Sequence, residues 1–346
     1  MPWDGAQGIF CGFIKKGREK MDKRKVIIDC DPGIDDSLAI ILALKSEEID
    51  VKGITIVSGN VHGKKGAENA LKILKELNRL DIPVYLGECE PMERKLITAE
   101  DTHGSDGLGE SFLPRVEEVT YKEGAVNFIL DELKSENITI IALGPLTNIA
   151  KALEKDCEVT RKMKELVLMG GAFKSFGNCS QVAEFNFWVD PHGVEKVFKE
   201  LKRKITMVGL DVTRQCVLTP NYIEMIRQFN EPLGELIVKI TKFYVDFHWN
   251  QERTLGCVIN DPLAVAYFIN PELCSGKEYF VDIVTEGKAI GMTLVDEGDF
   301  YREKPNCLVL TEVNSKGFME MFLTRIFPKN KEDIIAVLNN SKYGLS

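Results

Sequence analysis

The sequence predicts an α/β fold: a single domain with a mostly parallel central sheet flanked by helices. Two observations lead to this prediction. From Lys25 onward, short β-branched runs alternate with longer amphipathic runs, which is the pattern of βαβ units whose strands are buried on both faces. In addition, 44% of the 346 residues are hydrophobic, which is enough for one large core. Because no repeat or low-complexity linker divides the chain, we expect residues 21–346 to form one domain.

Each predicted element follows from the local spacing of apolar residues. Strands are predicted at the short β-branched runs Val26–Asp29, Val51–Val57, Val84–Leu86, Ile138–Leu143, Leu166–Met169 and Ile205–Gly209. Amphipathic helices are predicted between them at Ser37–Lys45, Lys64–Asn78, Glu123–Leu133, Leu146–Glu154 and Gly193–Leu201. The later helices are predicted at Asn221–Phe229 and from Leu233 to about Arg253, and the later strands at Tyr279–Val284, Met292–Val295 and Leu308–Glu312. A ligand site is expected at the carboxyl ends of the parallel strands.

The composition argues against several classes of partner. The formal net charge is −9 and the isoelectric point is about 5.3, whereas proteins that bind nucleic acid usually carry a clustered basic face. No apolar run approaches the roughly 18 residues of a membrane span. The nine cysteines include no CxxC pair, which fits neither a zinc ribbon nor a dense disulfide framework. We therefore expect a cytoplasmic protein that binds neither nucleic acid nor membranes.

Residues 1–20 differ from the rest of the chain. Their short apolar patch, Ile9–Ile14, comes before Lys15 and Arg18. A secretory signal has the reverse order, with the charge ahead of a longer apolar stretch. Met21 stands just before the first predicted strand, so we expect residues 1–20 to be an N-terminal extension outside the fold.

Four carboxylates lie within eight residues where the first predicted strand turns into a helix: Asp29, Asp31, Asp35 and Asp36. Carboxylates this close together repel and raise one another's pKa. A hard divalent cation neutralises them and prefers oxygen ligands. The alternative is that Asp35 and Asp36 only cap the helix and that Asp-Pro-Gly is an ordinary turn. Capping uses one or two carboxylates rather than four, so the segment predicts a metal site.

Three further segments place polar groups at strand ends. Asp261 precedes the apolar run Leu263–Ile269 and, taken alone, is an ordinary helix cap. The junction Ala142–Asn148 could turn backbone carbonyls toward the same crevice. The strand that ends at Met169 is followed by paired glycines and three polar side chains: Gly170, Gly171, Asn178, Glu184 and Asn186. Such groups suit a ligand rich in hydroxyls, although a glycine turn followed by a polar loop is the plain alternative.

The segment Glu88–Glu118 has little periodicity and contains His103. Loops of this length inside a compact domain are usually functional or disordered. We therefore expect the segment to form a lid or a wall of the site.

In this order and at these intervals, the segments resemble the inosine-uridine-preferring nucleoside hydrolase family. The matching stretches are Asp29–Asp36, Leu143–Asn148, Met169–Gly171, Asn178, Val182–Asn186, Asp261 and Ala264–Ala266. The resemblance covers roughly Lys25 to Asn270. It implies a nucleoside hydrolase-like fold and an enzyme that hydrolyses the N-glycosidic bond of ribonucleosides, releasing ribose and free base, in nucleoside salvage. It also implies inversion at the anomeric carbon through an oxocarbenium-like transition state.

The resemblance assigns roles to individual residues. The implied metal is Ca²⁺, and its protein ligands are Asp31, Asp36, Asp261 and the main-chain carbonyl of Leu143. Asp31 is also the implied catalytic residue, as the general base that activates the attacking water. The implied ribose-binding residues are Asp35, Asn60, Met169, Asn178, Glu184 and Asn186, of which Asn178 and Glu184 hold the 5′ hydroxyl. Family members are commonly dimers or tetramers, so a homodimer or homotetramer is expected.

The chain departs from the family pattern at the group that assists the leaving base. Members with broad purine and pyrimidine use carry a histidine immediately before the last metal aspartate, where this chain has Asn260. Asn donates a hydrogen bond but cannot deliver a proton. The candidate leaving-group contacts are therefore His103, Tyr244, His248 and Asn260. Tyr244 and His248 are four residues apart on a predicted helix and share a face, which could instead be a surface or a subunit contact.

Two functions of other classes stay open. A magnesium-dependent phosphohydrolase of the dehalogenase-like type also begins with an aspartate-rich strand end, but Pro32-Gly33 and the pair Asp35-Asp36 depart from that pattern. A non-catalytic nucleoside- or sugar-binding protein on the same scaffold would be consistent with Asn260. A phosphatase assay separates the first from a ribonucleoside hydrolase, and binding without turnover identifies the second.

Overall fold

The computed structural model describes residues 23–135 and 137–340. Across this part of the chain the main sheet has nine strands, which lie side by side in the order β10 (Cys274–Tyr279), β13 (Cys307–Val313), β7 (Ile205–Val208), β6 (Leu166–Met169), β5 (Thr139–Ala142), β1 (Arg24–Cys30), β2 (Ile49–Ile56), β3 (Val84–Leu86) and β4 (Lys122–Glu123). All neighbours are parallel except β10 and β13. The predicted α/β fold with one mostly parallel sheet is confirmed.

The remaining elements are helices and two small sheets. The helices are α1 (Ile34–Leu44), α2 (Gly63–Glu76), α3 (Glu100–His103), α4 (Ala125–Ser135), α5 (Thr147–Lys155), α6 (Cys157–Thr160), α7 (Phe185–Val189), α8 (Pro191–Glu200), α9 (Leu210–Thr213), α10 (Pro220–Gln228), α11 (Pro232–Glu252), α12 (Asn260–Ile269), α13 (Ser315–Ile326) and α14 (Lys331–Leu338). The small antiparallel sheets pair β8 (Val217–Leu218) with β9 (Cys257–Val258), and β11 (Val281–Ile283) with β12 (Thr293–Val295).

The sheet is buried on both faces, which explains why its strands read as continuous β-branched runs. Successive side chains of β1 point to opposite faces: Val26 and Ile28 belong to one apolar cluster and Ile27 to the other. The first cluster packs α1, α2, α11, α12 and α13 against the sheet, and the second packs α4, α5 and α8. The result is one α/β domain with helices in a layer on each side.

Strand order reverses at β1, and this reversal positions the site. β2, β3 and β4 extend from one side of β1, whereas β5, β6 and β7 extend from the other. Asp29 pairs with Ala142 at the end of β5, and the N–H of Leu143 donates to the Asp29 carbonyl at 2.7 Å. The connections that leave β1 and β5 diverge at such a point, which opens a crevice at the carboxyl ends of the strands.

Several predicted elements differ from those observed, and three of the differences concern the site or the sheet. α1 begins at Ile34 rather than Ser37, so that Asp35 and Asp36 lie inside its first turn. The predicted strand Tyr279–Val284 is wrong as a single element, because β10 and β11 belong to different sheets: Tyr279 pairs with β13, whereas Val281 pairs with β12. The predicted loop Glu88–Glu118 contains the short helix α3.

Some expectations concern segments or properties outside the sheet. The proposed extension at residues 1–20 lies outside the described residues. Every cysteine in the described part of the chain is free, in line with the prediction of no disulfide framework. None of the helices in residues 23–135 and 137–340 combines the length and apolarity of a membrane span.

Candidate active site

A cavity of about 540 Å³ opens at the carboxyl ends of the central strands. Its lining comes from the segments that follow β1, β2, β5, β6 and β7, together with α11 and α12. This volume suits a small molecule. Of the fourteen residues that the sequence predicts for the site, all except Asp31 and Asp36 line the cavity. Those two side chains are fully buried.

The centre of the site is a cluster of buried carboxylates. Within the described residues, one carboxylate oxygen from each of Asp35, Asp36 and Asp261 lies within 4.8 Å of the other two. Asp35 and Asp36 occupy the first turn of α1, and Asp261 occupies the first turn of α12. Two helix N-termini therefore face each other, and each favours negative charge. Asp36 accepts hydrogen bonds from the N–H of Gly33 at 2.9 Å and from Asn60 Nδ2 at 3.0 Å.

Asp31 lies next to this cluster and keeps one oxygen without a partner. Its Oδ2 accepts the N–H of Asn60 at 2.6 Å, but Oδ1 is buried and has no hydrogen-bond partner among the described residues. Two glycines pack against the carboxylate. A Cβ at Gly59 would lie 2.0 Å from Oδ2, and one at Gly144 would lie 2.5 Å from Oδ1. The chain around Asp31 thus needs glycine at both positions.

Burial disfavours the charged form of these carboxylates. It raises the pKa of Asp31 well above its usual range, and the neighbouring Asp36 raises it further. The pKa of Asp36 is raised to about 7 by burial and by the charge of Asp35. Burial, followed by the charges of Asp35 and Asp36, likewise raises the pKa of Asp261. The cluster holds more negative charge than the surrounding protein neutralises.

These residues fit a metal ion. An oxygen-only set of carboxylates is the donor set of a hard divalent cation, and the unpartnered Oδ1 of Asp31 is an acceptor in need of one. The cluster includes Asp35, which the resemblance assigns to ribose, and omits Asp31, which it assigns to the metal. The Leu143 carbonyl, the fourth predicted ligand, accepts Asn186 Nδ2 at 2.8 Å. A buried acidic cluster that could bind a metal is therefore present.

A ring of hydrogen bonds beneath the cluster fixes its scaffold. Asp29, the first aspartate of the motif, accepts Thr55 Oγ1 at 2.5 Å and Asn148 Nδ2 at 2.8 Å. Asn148 also accepts the N–H of Glu88 at 2.8 Å. These bonds join β1, β2 and α5 at their site-facing ends. Asp29 points into this scaffold and has a structural role.

The end of β6 and the segment after it carry four of the six residues predicted for ribose: Met169, Asn178, Glu184 and Asn186. Asn186 Nδ2 donates to the carbonyls of Leu143 at 2.8 Å and Met169 at 3.1 Å, which fixes the amide at the cavity surface. Glu184 caps α7 by accepting the N–H of Asn186, and it also accepts the N–H of Gly171 at 2.9 Å. Burial nevertheless raises the pKa of Glu184 to about 7. Asn178 lies on an exposed loop at the cavity mouth.

The other end of the cavity holds an aromatic group. His103, Tyr244 and His248 are buried, and the Tyr244 ring lies 5.3 Å from that of His103 and 4.4 Å from that of His248. The predicted face shared by Tyr244 and His248 therefore borders the site rather than the surface. Tyr244 Oη donates to Asp35 Oδ2 at 3.1 Å, and Asn260 Nδ2 donates to the same oxygen at 3.1 Å.

The backbone fixes the tautomers of both histidines. Nδ1 of His103 accepts the N–H of Ile34 at 3.1 Å, so its Nε2 carries the proton. Nδ1 of His248 lies 2.8 Å from the Tyr244 carbonyl and must donate, so its Nε2 is an acceptor. Burial lowers the pKa of both rings and favours these neutral forms. The cavity is thus lined by one imidazole that donates and one that accepts.

The predicted long loop forms a wall of the cavity through residues 97–103. α2 holds this wall in place: Lys65 Nζ donates to the carbonyl of Ser105 at 2.7 Å, and Asn69 Nδ2 donates to that of Asp106 at 2.9 Å. A Cβ at Gly33 would lie 2.6 Å from Nδ1 of His103, so this glycine makes room for the histidine.

Sequence reasoning missed several residues that line the cavity. Two of them, Arg214 and Glu252, form an ion pair with each other. Arg214 follows the predicted strand Ile205–Gly209, and polar residues after a parallel strand are the signal that would have found it. Glu252 gave no such signal, because it lies at the far end of α11.

Comparison with known proteins identifies the class of enzyme. A ribonucleoside hydrolase from Escherichia coli K12, the pyrimidine-specific RihA, is 36% identical over 305 residues, which cover 87% of this chain and 97% of RihA. The structure of a purine-preferring ribonucleoside hydrolase from Gardnerella vaginalis superimposes with a TM-score of 0.83 at 33% identity, covering 89% of this chain and all of that one. A plant nucleoside hydrolase, PpNRh1, gives 0.84 at 30% identity and covers 88% of this chain and 98% of its own. The fold and the relatives define a hydrolase that acts on N-glycosyl bonds.

The family follows from a second comparison. The model of the inosine-uridine preferring nucleoside hydrolase family matches residues 26–320. The chain belongs to this family, as the resemblance of its motifs implies. The matched range includes every predicted site residue, from Asp31 to Asp261.

The raised pKa values of the carboxylates predict that a bound cation increases the stability of the protein more at high pH than at low pH. In the metal-free fold, an aspartate whose pKa is about 7 instead of its ordinary 3.8 keeps its proton up to that pH. The folded state therefore binds more protons than the unfolded state, and the stability of the metal-free protein falls as pH rises through about 7. A cation replaces those protons. We expect the difference in Tm between metal-loaded and chelator-treated protein to be larger at pH 8 than at pH 6 by about 5 °C or more.

The measurement is thermal unfolding of both forms at the two pH values, with circular dichroism as the probe. A difference in Tm that does not change with pH would contradict cation binding by the buried carboxylates.

Proposed function

We propose that this ribonucleoside hydrolase depends on Ca²⁺, held by the acidic cluster, and serves nucleoside salvage in the cytoplasm. The observation that carries the calcium proposal is the meeting of Asp35 and Asp261, which line the cavity, with the fully buried Asp36; Asp31 lies beside them. These ligands are all oxygens, whereas zinc sites usually include histidine or cysteine. Ca²⁺ accommodates more oxygen ligands than Mg²⁺ and tolerates irregular geometry, so the Leu143 carbonyl and sugar hydroxyls can join the set.

Asp31 is the proposed general base. When bound, the cation would supply positive charge that orients a water molecule and the ribose hydroxyls. Asp31 Oδ1 has no hydrogen-bond partner among the described residues, and in the ionised form that a nearby cation would favour it can take the proton from that water. The water oxygen forms a bond to the anomeric carbon, the N-glycosidic bond breaks, and its electron pair leaves with the base. Attack from the face opposite the base gives inversion.

The remaining carboxylates favour the transition state. Positive charge grows on the ribose ring as the glycosidic bond lengthens, and the buried side chains of Asp35 and Glu184 line the cavity in which this ring would lie. Asp35, Asn60 and Asn186 would hold the ribose hydroxyls, and Asn178 with Glu184 would hold the 5′ hydroxyl. Met169 would lie beneath the sugar.

His103 is the proposed partner of the departing base. Its Nε2–H can donate a hydrogen bond to a ring nitrogen or carbonyl of the base as negative charge develops there. Asn260 is less suited to this role, because its Nδ2 group already donates to Asp35 and to Tyr244 Oη. His248 Nε2 would accept a hydrogen bond from the base instead. The base would therefore meet one hydrogen-bond donor, His103 Nε2–H, and one acceptor, His248 Nε2, and the backbone fixes both roles.

The relatives leave the preferred base undecided, since one is pyrimidine-specific and another purine-preferring by name. The proposed substrate is accordingly a small-molecule ribonucleoside, without a choice of base. We further propose a homodimer or homotetramer that binds neither nucleic acid nor membranes; the net charge of −9 supports the absence of a nucleic-acid partner.

The direct test of the proposed function is ribose release from inosine, adenosine, guanosine, uridine, cytidine and p-nitrophenyl riboside. We expect release from at least one nucleoside, loss of release after chelation, and recovery when Ca²⁺ is added, because the carboxylates repel one another without a cation. If ribose release recovers when Mg²⁺ is added but not when Ca²⁺ is added, the proposal that Ca²⁺ is the metal is rejected. Tight nucleoside binding without turnover would favour the binding-protein alternative, and hydrolysis of phosphomonoesters would favour the phosphohydrolase.

Asp31→Asn should reduce turnover by at least about 100-fold, because an amide cannot accept the proton of the attacking water. Its Tm in the metal-free form should equal or exceed that of the wild type, since the amide is neutral at every pH and avoids the unfavourable ionisation of a buried carboxyl. Steady-state kinetics and thermal unfolding measure the two effects. The exposed Asp246→Asn on α11 is the matched control and should change neither. An Asp31→Asn variant with wild-type turnover would exclude Asp31 as the base.

His103→Ala should lower kcat on nucleosides by about 100-fold, while p-nitrophenyl riboside, whose leaving group departs without help, should lose less than about threefold. The ratio of the two losses in kcat distinguishes leaving-group assistance from a general loss of folded enzyme, because misfolding would reduce activity on both substrates equally. The exposed His62→Ala serves as the control. Equal losses on both substrates would mean that His103 does not assist departure.

A further inference from the structure

Arg214 connects two walls of the cavity. It follows α9 at the carboxyl end of β7, and its side chain is 26% exposed. The guanidinium donates to Ser175 Oγ at 2.8 Å, to the Phe176 carbonyl at 2.8 Å and to the Gly177 carbonyl at 3.0 Å. The same group pairs with Glu252 at the end of α11 at 3.3 Å. One side chain thus joins the loop that follows β6 to the helix that carries Tyr244 and His248.

The loop in question, residues 173–178, has its apolar anchor at its first residue, Phe173, which packs against the second apolar cluster. The side chain of Phe176 is 74% exposed, and Lys174 is exposed as well. Its first residues are also held by Asp211 of α9, which accepts the N–H groups of Phe173 at 2.8 Å, Lys174 at 2.7 Å and Ser175 at 3.1 Å. Asp211 holds the first half of the loop and Arg214 the second half.

The second half of the loop is the part that reaches the cavity. Gly177, Asn178, Arg214 and Glu252 all line it. The hydrogen bond from Asn178 N to the Ala183 carbonyl, at 3.1 Å, ties the base of the turn to a buried residue that pairs with Met292. Arg214 supplies the further connection of Phe176 and Gly177 to α9 and α11, on the side of the turn that faces the cavity, so we infer that the guanidinium sets the position of the Asn178 side chain there.

We propose that Arg214 is a positioning residue that fixes Asn178 at the end of the cavity where the 5′ hydroxyl of a riboside binds; this inference rests on the proposed function. The planar fork of arginine is required, because three donors must meet Ser175, Phe176 and Gly177 while a fourth faces Glu252. A lysine keeps the charge opposite Glu252 but cannot make these bonds together. Arg214 itself acts through the loop and does not take part in bond cleavage.

The test compares p-nitrophenyl riboside with its 5-deoxy analogue in the wild type, Arg214→Lys and Arg214→Met, all with metal. For the riboside, both variants should lose about 10-fold to 100-fold in kcat/KM, mainly through a higher KM. For the 5-deoxy analogue, which has no hydroxyl for Asn178, the loss should be less than about threefold. Arg227→Met, which removes an exposed arginine that pairs with Glu224, is the control and should match the wild type on both.

Equal losses on the two substrates, or a fully active Arg214→Lys, would overturn the inference. Hydrogen exchange of the amides in residues 173–178 gives a readout that needs no turnover: exchange should be faster in Arg214→Met than in the wild type or Arg227→Met. If the wild type cleaves no riboside, the proposed function fails, and the inference is then judged by exchange alone. Unchanged exchange in Arg214→Met would reject the positioning role.

Discussion

The constraint on which the rest of the site depends is the burial of Asp31, Asp35, Asp36 and Asp261 at one point of the fold. Nearby amides partly satisfy these carboxylates, yet burial and mutual repulsion raise the pKa values of Asp31, Asp36 and Asp261. Such an arrangement is stable with protons or with a cation. A cation at this cluster would therefore contribute to the electrostatic balance of the folded state as well as to the proposed chemistry.

The architecture makes this concentration of charge possible. Reversal of strand order at β1 brings the ends of β1 and β5 together, and α1 and α12 direct their N-termini toward the same crevice. Because Gly59 and Gly144 have no side chains, the backbone at both positions can approach the Asp31 carboxylate closely. Hydrogen bonds from Asn148 and Thr55 to Asp29 then tie the strands beneath the cluster. The scaffold is rigid where the chemistry requires fixed oxygens.

In the proposed function the cavity has a sugar half and a base half, and the side chains of the two halves are held in place in different ways. The sugar half lies on strand ends and short helices, with Asn186 held by two backbone carbonyls. The base half is built from α11 and the loop wall, where backbone groups set the tautomers of His103 and His248. Arg214 joins the two halves at the mouth. Family membership fixes the reaction class, and the proposed contacts to the base all lie in this second half.

The sequence by itself determined the parallel sheet, the acidic motif at its first strand end and the family, because alternating periodicity and the Asp-x-Asp-Pro-Gly-x-Asp-Asp segment are local signals. It could not show that Asp35 lies with Asp36 and Asp261, that Tyr244 and His248 face the cavity, or that Tyr279 and Val281 belong to different sheets. Those facts depend on contacts between residues far apart in the chain. Only the tertiary structure decided them, since side-chain direction and hydrogen-bond partners are set by packing that no local pattern encodes.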